Sequence, residues 1–246
     1  MTSSGVEYVV EDFLGSGGQG EVYKVTSSGK DWALKWYYPH TATDSQRKAL
    51  EALVSKGAPT EKFLWPLTLI TDQKTPGFGY IMPLRPKNFK NIVDLMKRRI
   101  DPSFYSIATA SFQLADSFYH LHIEGLSYRD ISDKNVFFDP QDGEVLICDN
   151  DNVTVDKTKT SLIKGTPRFM APEIVRDEAL PSADTDRFSL AILLFNMFFI
   201  SHPLDGKRES AIHSLDAPAM NRLYGEDPLF IFDPNDSSNA PDPRYH

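Results

Sequence analysis

The chain has 246 residues, with 34 acidic and 26 basic side chains and a formal net charge of −8. Because nucleic-acid-binding domains usually present a basic surface, this charge argues against nucleic acid as a partner of this domain. The single cysteine, Cys148, excludes an internal disulfide framework and fits a reducing compartment.

Two further features bear on where the protein resides. The N-terminus has no basic region followed by an apolar run, so we expect no signal peptide. The most apolar segment, residues 188–200, is interrupted by Ser189 and Asn196 and is shorter than a membrane span. We therefore expect a cytoplasmic protein that does not interact with a membrane.

The first third of the chain is predicted to form an antiparallel sheet. Residues 8–14, 21–27 and 30–36 are rich in apolar and β-branched side chains, and a Ser-Ser-Gly sequence joins the last two as a hairpin turn. Residues 63–70 and 78–84 have the composition of two more strands. The pattern thus predicts a sheet of five strands.

One helix is predicted between the third and fourth of these strands. Thr43 followed by Gln46 has the pattern of a capping box, and apolar residues within 49–54 form one face. Gly57 ends the pattern. Glu51 lies at the edge of the apolar face, where an acidic side chain is usually exposed to solvent.

A glycine-rich segment, Gly15-Ser-Gly-Gly-Gln-Gly20, lies between the first two predicted strands. The absence of side chains would let backbone N–H groups approach phosphate oxygens closely. A dinucleotide-binding fold would need a helix directly after these glycines, whereas strand residues 21–25 follow, which argues against that fold. The alternative is a flexible hairpin tip that binds no ligand.

Three oxygen-bearing side chains follow a long predicted helix, whose apolar residues recur at helical spacing over residues 104–122. Asp130 and Asn135 lie in one loop, and Asp149 follows a hairpin predicted within residues 136–148. In this order and spacing they match a base for a hydroxyl group and two oxygen ligands for Mg²⁺ on a nucleotide. A turn rich in Asp and Asn is the alternative explanation for the first two.

These segments resemble the protein kinase family over residues 8–205. Residues 15–20 and Lys35 resemble its glycine-rich loop and strand lysine. Tyr128-Arg-Asp-Ile-Ser-Asp-Lys-Asn135 resembles its catalytic loop, and Asp149-Asn-Asp151 resembles its metal-binding DFG motif. A further match, Ala171-Pro-Glu173, resembles the end of the activation segment.

The resemblance implies an α+β fold with two lobes. Residues 1–84 would form an N-lobe with a five-stranded antiparallel sheet and one helix, and residues 85–246 would form a mainly helical C-lobe. Asp186 would hydrogen-bond to the backbone of the catalytic loop. After residue 205 the resemblance fades, so we expect either a domain from a longer protein or a C-lobe shortened at its C-terminal end.

The resemblance also assigns catalytic roles. Asp130 would be the base for the acceptor hydroxyl. The family's usual lysine position holds Ser132 here, and Lys134, two positions later, is the residue that would reach the γ-phosphate from a different backbone position. Lys35 would hold the α- and β-phosphates and pair with Glu51 of the predicted helix. For Glu51, exposure to solvent without such a pair is the alternative.

The implied cofactors are ATP and Mg²⁺, with Mn²⁺ as an alternative metal ion. Asn135 and Asp149 would bind the metal ion, because a hard cation prefers oxygen ligands. Asp151, the second acid of that motif, is expected to face solvent. The residues implied to contact the nucleotide are Gly15, Ser16, Gly17, Gly18, Gln19, Gly20, Val22, Ala33, Lys35, Met82, Pro83, Leu84, Arg85 and Phe137.

Residues 152–170 resemble an activation segment. Arg129 would pair with a phosphate group on one of its hydroxyl side chains and thereby order the segment. The residues considered for this regulation are Thr158, Thr160, Ser161 and Thr166. The alternative is a solvated polar loop without a regulatory role. Thr166 in this context favours serine and threonine over tyrosine as acceptors.

The sequence departs from the family at four positions, Pro83 of the hinge, Tyr128, Ser132 and Asn150. Serine/threonine kinases usually carry lysine at the position of Ser132. Asn150 replaces the phenylalanine of the DFG motif. These departures resemble atypical bacterial kinases. Some of those carry C-terminal helix-hairpin-helix modules and work beside a metal-dependent phosphatase and a von Willebrand A protein, which makes both of these expected partners.

We therefore predict an ATP-dependent protein kinase that phosphorylates serine or threonine hydroxyls of a protein substrate, including its own. Asn150 and Ser132 leave open a nucleotide-binding pseudokinase that acts as a scaffold. A small-molecule phosphotransferase of related fold is the third alternative, although the segment ending at residues 171–173 favours a polypeptide acceptor.

Overall fold

The structure, a computed structural model, describes residues 2–3, 5–156 and 165–243. The predicted α+β class is confirmed, because a five-stranded antiparallel sheet with one helix precedes a mainly helical region. None of the helices within these ranges combines the length and the apolar character needed to cross a lipid bilayer.

The chain divides into two compact units. The first unit comprises residues 1–89 and 146–151, and the second comprises residues 90–145 and 152–246. The division predicted after residue 84 therefore falls inside the first unit. That unit also includes a short segment from the region that the sequence assigned to the second lobe.

The centre of the first unit is the five-stranded antiparallel sheet. The strands of this unit are β1 (Thr2–Ser3), β2 (Val6–Glu7), β3 (Val9–Ser16), β4 (Gly20–Ser27), β5 (Lys30–Tyr37), β6 (Thr68–Ile70) and β7 (Gly79–Pro83). The strand order in the large sheet is β3-β4-β5-β7-β6. Lys35 lies opposite Val22 of β4 and Tyr80 of β7. The sheet thus places this lysine on its central strand.

The strand predicted over residues 63–70 forms only at its end, in β6. Phe63 instead makes an isolated parallel bridge to Ile147, and the Leu64 N–H donates to the Ile147 carbonyl at 2.8 Å. Because these backbone groups pair with the segment around Ile147, they do not extend the sheet. This pairing attaches residues 146–151 to the first unit.

Helix α1 (Asp44–Lys56) begins at Thr43, whose hydroxyl oxygen accepts a hydrogen bond from the Gln46 N–H at 3.2 Å. The side chain of Gln46 donates to two groups outside the helix, so the predicted capping box is only half formed. The helix ends at Gly57, whose positive φ of 82° is one that glycine adopts without a steric penalty.

The inner part of strand β5 packs into apolar clusters on both faces of the sheet. Alternate residues of β5 enter two different apolar clusters, as expected for a strand that is buried on both sides. One cluster contains Ala33 and Tyr37 together with Leu50 of α1. The other contains Leu34 and Trp36. Lys35 lies two residues from both Ala33 and Tyr37, so its side chain is on the same face of the strand, which is the face that packs against α1.

The second unit is mainly helical. Its elements are β8 (Lys90–Asn91), α2 (Ile92–Met96), α3 (Phe104–Ile123), β9 (Leu126–Ser127), β10 (Val136–Phe138), β11 (Val145–Ile147, which crosses into the first unit), β12 (Thr154–Val155), α4 (Pro172–Val175), α5 (Ala183–Phe199), α6 (Lys207–Ser210) and α7 (Ala217–Asn221). Strand β8 pairs with β10, and β9 pairs with β12, both antiparallel.

Helices α3 and α5 build the core of this unit. The buried face of α3 repeats at helical spacing and includes Ala110, Leu114, Phe118 and Leu121. Helix α5 begins with a capping box between Ser182 and Thr185, so its start is fixed and Asp186 lies in its first turn. Asp186 is almost completely buried.

Candidate active site

Lys35 is the centre of a buried polar cluster in the first unit, and its side chain is only 7% exposed. Its Nζ donates to Oε1 of Gln19 at 3.1 Å and to Oδ1 of Asp149 at 2.5 Å. It also donates to both carboxylate oxygens of Asp151, at 3.0 and 2.9 Å. The structure therefore brings together Lys35, Gln19 and Asp149, three of the residues implied to bind Mg·ATP.

The expectation that Asp151 faces solvent is wrong, because its side chain is 0% exposed. The Tyr37 hydroxyl donates to its Oδ2, and the Gln46 side-chain amide donates to its carbonyl oxygen at 3.3 Å. Asp149, two residues earlier, has a φ of 57°, and this left-handed residue leads into a 3₁₀ turn over residues 150–152. That turn directs Asp151 inward, which composition alone did not indicate.

The predicted ion pair between Lys35 and Glu51 is not formed. Glu51 is 53% exposed and pairs with Arg47, one turn earlier on α1, at 3.2 Å. The positive charge of Lys35 is instead balanced by Asp149 and Asp151. Of the two alternatives for Glu51, the structure has the exposed acid.

Burial disfavours the charged forms of Lys35 and Asp151, and the attraction between their opposite charges offsets this effect. Burial alone would lower the pKa of Lys35, but the carboxyl groups of Asp151 and Asp149 outweigh it and raise this pKa. Burial would raise the pKa of Asp151, yet the charge of Lys35 and the hydroxyl of Tyr37 bring it below its ordinary value. Burial and the charge of Asp151 raise the pKa of Tyr37. The ammonium, the Asp151 carboxylate and a neutral phenol are therefore the favoured forms.

The glycines between β3 and β4 fall into two groups. A Cβ atom on Gly20 would lie 2.2 Å from the carbonyl oxygen of Trp36, so glycine is needed here for β4 to pack against β5. A Cβ atom on Gly15, Gly17 or Gly18 would meet no heavy atom of the described chain within 4 Å. The backbone at these three positions thus has the open surroundings that an approaching phosphate group requires.

The apolar residues implied to contact the adenine share one cluster of the first unit. They are Val22, Ala33, Met82 and Leu84, of which Ala33 and Met82 are buried. Pro83 ends β7 and lacks a backbone N–H group. The Arg85 guanidinium donates to the Phe89 carbonyl at 2.7 Å. Ser16 is exposed at the end of β3, and Phe137 lies in the second unit on β10.

Asp130 is the centre of a second hydrogen-bonded cluster, in the second unit. Its Oδ1 accepts from the Thr166 hydroxyl at 2.6 Å, and its Oδ2 accepts from the Asn135 amide nitrogen at 3.2 Å. The same amide nitrogen donates to the Asp130 carbonyl at 2.9 Å. The Asp130 carboxylate is therefore held from both of its oxygens, and three predicted site residues meet here.

Asp186 holds the backbone next to Asp130, as the resemblance implied. Its Oδ2 accepts from the Tyr128 N–H at 2.6 Å, and its Oδ1 accepts from the Arg129 N–H at 2.8 Å. The His122 Nε2 atom lies 3.0 Å from Oδ2. Arg129 has a φ of 75°, an uncommon conformation for a residue other than glycine, and these bonds stabilise it.

Arg129 and Lys134 differ in their surroundings. The Arg129 side chain is buried, which lowers the pKa of its guanidinium, whereas the charges of Asp186 and Asp156 oppose that change. Lys134 is exposed, and its carbonyl accepts from the Asn91 amide at 3.1 Å. Arg129 thus faces acidic side chains, while the ammonium group of Lys134 lies at the surface.

Ser132, which stands where related kinases usually have lysine, is fully buried, and its hydroxyl has no hydrogen-bond partner among the described residues. It therefore offers no replacement for a phosphate-binding lysine. Thr158, Thr160 and Ser161 lie outside the residues that the structure describes. Their predicted regulatory role stays a prediction.

Tyr37 and Gln46 contact the site, and the sequence analysis did not assign either of them to it. Tyr37 is two residues beyond Lys35 on β5, and this spacing alone places both side chains on one face of the strand. The capping-box pattern explains the presence of Gln46 at the start of α1, so no sequence pattern indicated that its side chain lies in the site. The period of the strand was the signal that could have identified Tyr37.

The residues implied to hold a divalent cation are chemically suited to it. Asp149 has a carboxylate side chain that is 35% exposed. The amide nitrogen of Asn135 donates to Asp130, which leaves the amide oxygen as its atom for a cation. No group of three or more His, Cys, Asp or Glu side chains in the described ranges is arranged to hold a metal ion.

Comparison with known proteins identifies the family. A sequence profile described as the protein kinase domain matches residues 8–239. Protein kinase C delta type of Rattus norvegicus is 27% identical over 248 residues, covering 90% of this chain and 36% of that protein. Ribosomal protein S6 kinase alpha-4 of Mus musculus is 36% identical over 97 residues, covering 37% of this chain and 12% of that protein.

A third relative, Protein kinase C-like 1 of Saccharomyces cerevisiae, is 28% identical over 135 residues, covering 52% of this chain and 11% of that protein. The chain therefore corresponds to only a part, between 11% and 36%, of each of these relatives. The match to the protein kinase profile, in contrast, extends over most of the length of this chain. The chain belongs to the protein kinase family.

Proposed function

We propose that this domain transfers the γ-phosphate of ATP to serine and threonine hydroxyl groups of a protein substrate. The observation that carries the proposal is the hydrogen bond from the Thr166 hydroxyl to Asp130 at 2.6 Å. This bond supports the proposal because the Asp130 carboxylate accepts from an aliphatic hydroxyl group. An acceptor serine or threonine would donate to Asp130 in the same way. A carboxylate offers about four lone-pair sites, so further donors can bind beside Thr166 and Asn135.

Asp130 would orient the acceptor hydroxyl and take its proton as the oxygen–phosphorus bond forms. Its geometry is set in advance, because Thr166 and Asn135 hold the two carboxylate oxygens and Asp186 holds the neighbouring backbone. Positioning of this kind supplies much of the rate in phosphoryl transfer, where the protein does little covalent chemistry.

The nucleotide would be bound by residues of the glycine-rich segment and by Lys35. Lys35 would contact the α- and β-phosphates, while Asp149 and Asn135 would hold Mg²⁺ or Mn²⁺. When bound, the divalent cation neutralises charge on the phosphate groups. The proposal for Lys35 is supported by its burial beside Gln19 of the glycine-rich segment and beside Asp149.

A nucleotide-binding pseudokinase is the second candidate. Lys35 contacts Asp149 and Asp151 at the same time, and the buried Ser132 replaces a lysine of the catalytic loop. Both features favour binding without efficient turnover. Turnover near the ordinary kinase range of about 1–100 s⁻¹ would exclude this candidate.

The test is transfer of labelled phosphate from ATP, measured for the wild type and Asp130→Asn in parallel. We expect transfer to a generic protein acceptor and to the domain itself in the wild type, and its loss in Asp130→Asn. Asp142→Asn is the matched control, since Asp142 is an exposed turn residue whose Oδ1 accepts from the Glu144 N–H, a bond that asparagine preserves. Equal labelling in the wild type and Asp130→Asn would contradict the proposal.

The wider setting of the domain also belongs to the proposal. The departures from the family favour an atypical bacterial kinase in the cytoplasm, with a cognate phosphatase and a von Willebrand A protein as partners. Phosphorylation of Thr158, Thr160 or Ser161 would regulate it through Arg129, whose side chain lies close to the acidic residues Asp186 and Asp156. Thr166 is not included in this proposal, because a phosphate group on its hydroxyl would replace the donor to Asp130 with negative charge.

A further inference from the structure

We propose that Asp151 is the positioning residue for Lys35 in this domain, in the place that the family resemblance gave to Glu51 of helix α1. The inference rests on the proposed function, because it concerns how the nucleotide-binding lysine is held. It assigns a role to a residue that the kinase motifs do not include, since the corresponding position of the DFG motif is glycine.

The contact between Asp151 and Lys35 is buried and uses both carboxylate oxygens. Both carboxylate oxygens of Asp151 accept from Lys35 Nζ, at 3.0 and 2.9 Å, and both side chains are almost entirely buried. A charge-assisted contact that uses both oxygens fixes the direction of the lysine more closely than a single bond does. Solvent does not screen it, since the pair is not exposed.

Asp151 is itself held by hydrogen bonds from two side chains. The Tyr37 hydroxyl donates to its Oδ2, and the side chain of Gln46 donates to the Tyr37 hydroxyl at 3.1 Å and to the Asp151 carbonyl at 3.3 Å. The chain of bonds therefore runs from helix α1 through Tyr37 to the carboxylate. A hydrogen-bonded network of this kind is more rigid than an isolated ion pair.

The two acids of the Asp149-Asn-Asp151 motif differ in exposure and in how they contact Lys35. Asp149 is 35% exposed and contacts Lys35 through one oxygen, whereas Asp151 is 0% exposed and contacts it through both. Asp149 is thus the acid suited to a metal ion that enters with the nucleotide. Asp151 is the acid that would keep Lys35 in place while Asp149 binds the cation.

Glu51 forms its ion pair on the surface of helix α1. Its carboxylate is 53% exposed and pairs with Arg47, which is 49% exposed, along the same helix. Helix α1 contributes to the cluster through Gln46 and not through its glutamate. It follows that the lysine anchor in this domain does not depend on an ion pair with α1.

The experiment measures the dissociation constant of ATP by calorimetry for the wild type, Asp151→Asn and Glu51→Gln. We expect Asp151→Asn to bind about tenfold more weakly or worse, the scale of a lost charge-assisted hydrogen bond. Glu61→Gln is the matched control for lost charge, because Glu61 is 87% exposed in the same unit. A loss in Glu51→Gln that exceeds the loss in Asp151→Asn would overturn the inference.

A double-mutant cycle with Lys35→Met separates positioning from a general structural role. If Asp151 acts through Lys35, Asp151→Asn weakens ATP binding in the wild-type background but has little further effect in the Lys35→Met background. Equal losses in both backgrounds would show that Asp151 acts in some other way. Thermal unfolding of each variant reports whether it is folded.

Tyr37→Phe provides a second test in case Asp151→Asn does not fold, because it removes one donor to Asp151 and keeps the aromatic ring. We expect about fivefold weaker ATP binding, and unchanged binding would count against the inference. The failures are distinguishable. A wild type that binds no ATP would refute the proposed function, whereas a wild type and an Asp151→Asn variant that bind equally well would refute only the role of Asp151.

Discussion

Three aspartates of this domain differ in their hydrogen-bond partners and in their exposure to solvent. Asp130 accepts hydrogen bonds from two neutral side chains, Asp149 is partly exposed beside Lys35, and Asp151 is buried against the same lysine. Environment sets what a carboxylate can do, so the proposed roles of base, metal ligand and lysine anchor follow from these contacts.

Thr166 provides a test of how the proposed base is held. Its hydroxyl donates to Asp130 Oδ1 at 2.6 Å. Thr166→Val keeps the size of the side chain and removes the donor, so we expect it to lower kcat about tenfold or more, the scale of a hydrogen bond to a charged group. The measurement is steady-state phosphate transfer with a saturating protein acceptor.

Thr166→Ser is the matched variant, because it keeps the hydroxyl group and removes only a methyl group. We expect it to retain most of the wild-type rate. If Thr166→Val and Thr166→Ser were equally impaired, the loss would come from packing, and the hydrogen bond to Asp130 would not position the base.

Among the secondary-structure elements, the glycine-rich segment joins strands β3 and β4. Its glycines have different roles, because some are needed for strand packing and others leave the backbone open to a ligand. Gly20 is needed for the close approach of β4 to the Trp36 carbonyl of β5, whereas Gly18 is in open surroundings. We expect Gly20→Ala to lower the free energy of unfolding by about 1–3 kcal/mol, the usual cost of overpacking. We expect Gly18→Ala to change it by no more than about 0.5 kcal/mol.

Urea unfolding of the two glycine variants checks this expectation. The assignment of Gly20 to strand packing predicts that the two variants separate in stability, since an added Cβ atom meets a carbonyl oxygen in one and nothing in the other. Similar unfolding midpoints for Gly20→Ala, Gly18→Ala and the wild type would show that β4 and β5 tolerate the added methyl group.

A second element-level contact attaches the segment around Thr166 to the loop after α5. The His202 Nε2 atom donates to the Arg168 carbonyl at 2.9 Å, and its Nδ1 accepts from the Leu204 N–H at 3.2 Å. This tautomer is neutral. Asp205 lies 3.2 Å from Nδ1 but is also ion-paired with Arg168, so its charge is already shared. His202 is therefore buried without charge.

This arrangement predicts a pH dependence of stability. Burial and the charge of Arg168 lower the pKa of His202 to about 3. An unfolded histidine has a pKa of about 6.5, so on acidification below that value the unfolded chain binds a proton that the folded chain does not. We expect His202 to make stability fall by up to about 1.4 kcal/mol per pH unit in this window, and to have no effect above it.

The measurement compares the wild type with His202→Gln, whose neutral side chain keeps a donor and an acceptor. The unfolding free energy of the wild type should fall more steeply below pH of about 6.5 than that of the variant. The other titratable groups at this contact, Asp205 and Tyr224, are common to both proteins. Parallel pH profiles would show that His202 is not held in its neutral form.

For the molecule as a whole, the fold was accessible from sequence where hydrophobic period and turn chemistry agreed. The hairpin of β4 and β5 and helix α1 appear close to their predicted positions, because their patterns are local. The strand predicted over residues 63–70 was largely wrong. Its backbone groups pair with Ile147, a partner distant in sequence that no local pattern reveals.

The candidate site shows the same limit. The motifs located Lys35, Asp130 and Asp149, because each has a fixed place in an ordered series. They did not reveal that Lys35 pairs with Asp151, because that contact depends on a left-handed residue and a 3₁₀ turn that direct the side chain inward. Whether a charged side chain faces solvent or a buried partner is decided by tertiary structure, and composition gives only the usual outcome.

Asp130 is the proposed base for phosphate transfer from ATP to a hydroxyl acceptor. Its most direct test is a single-turnover assay with γ-labelled ATP, comparing the wild type, Asp130→Asn and the control Asp142→Asn. We expect labelled protein for the wild type and the control, with loss of at least about 10²-fold in rate for Asp130→Asn. Labelling at the same rate in all three proteins would contradict it.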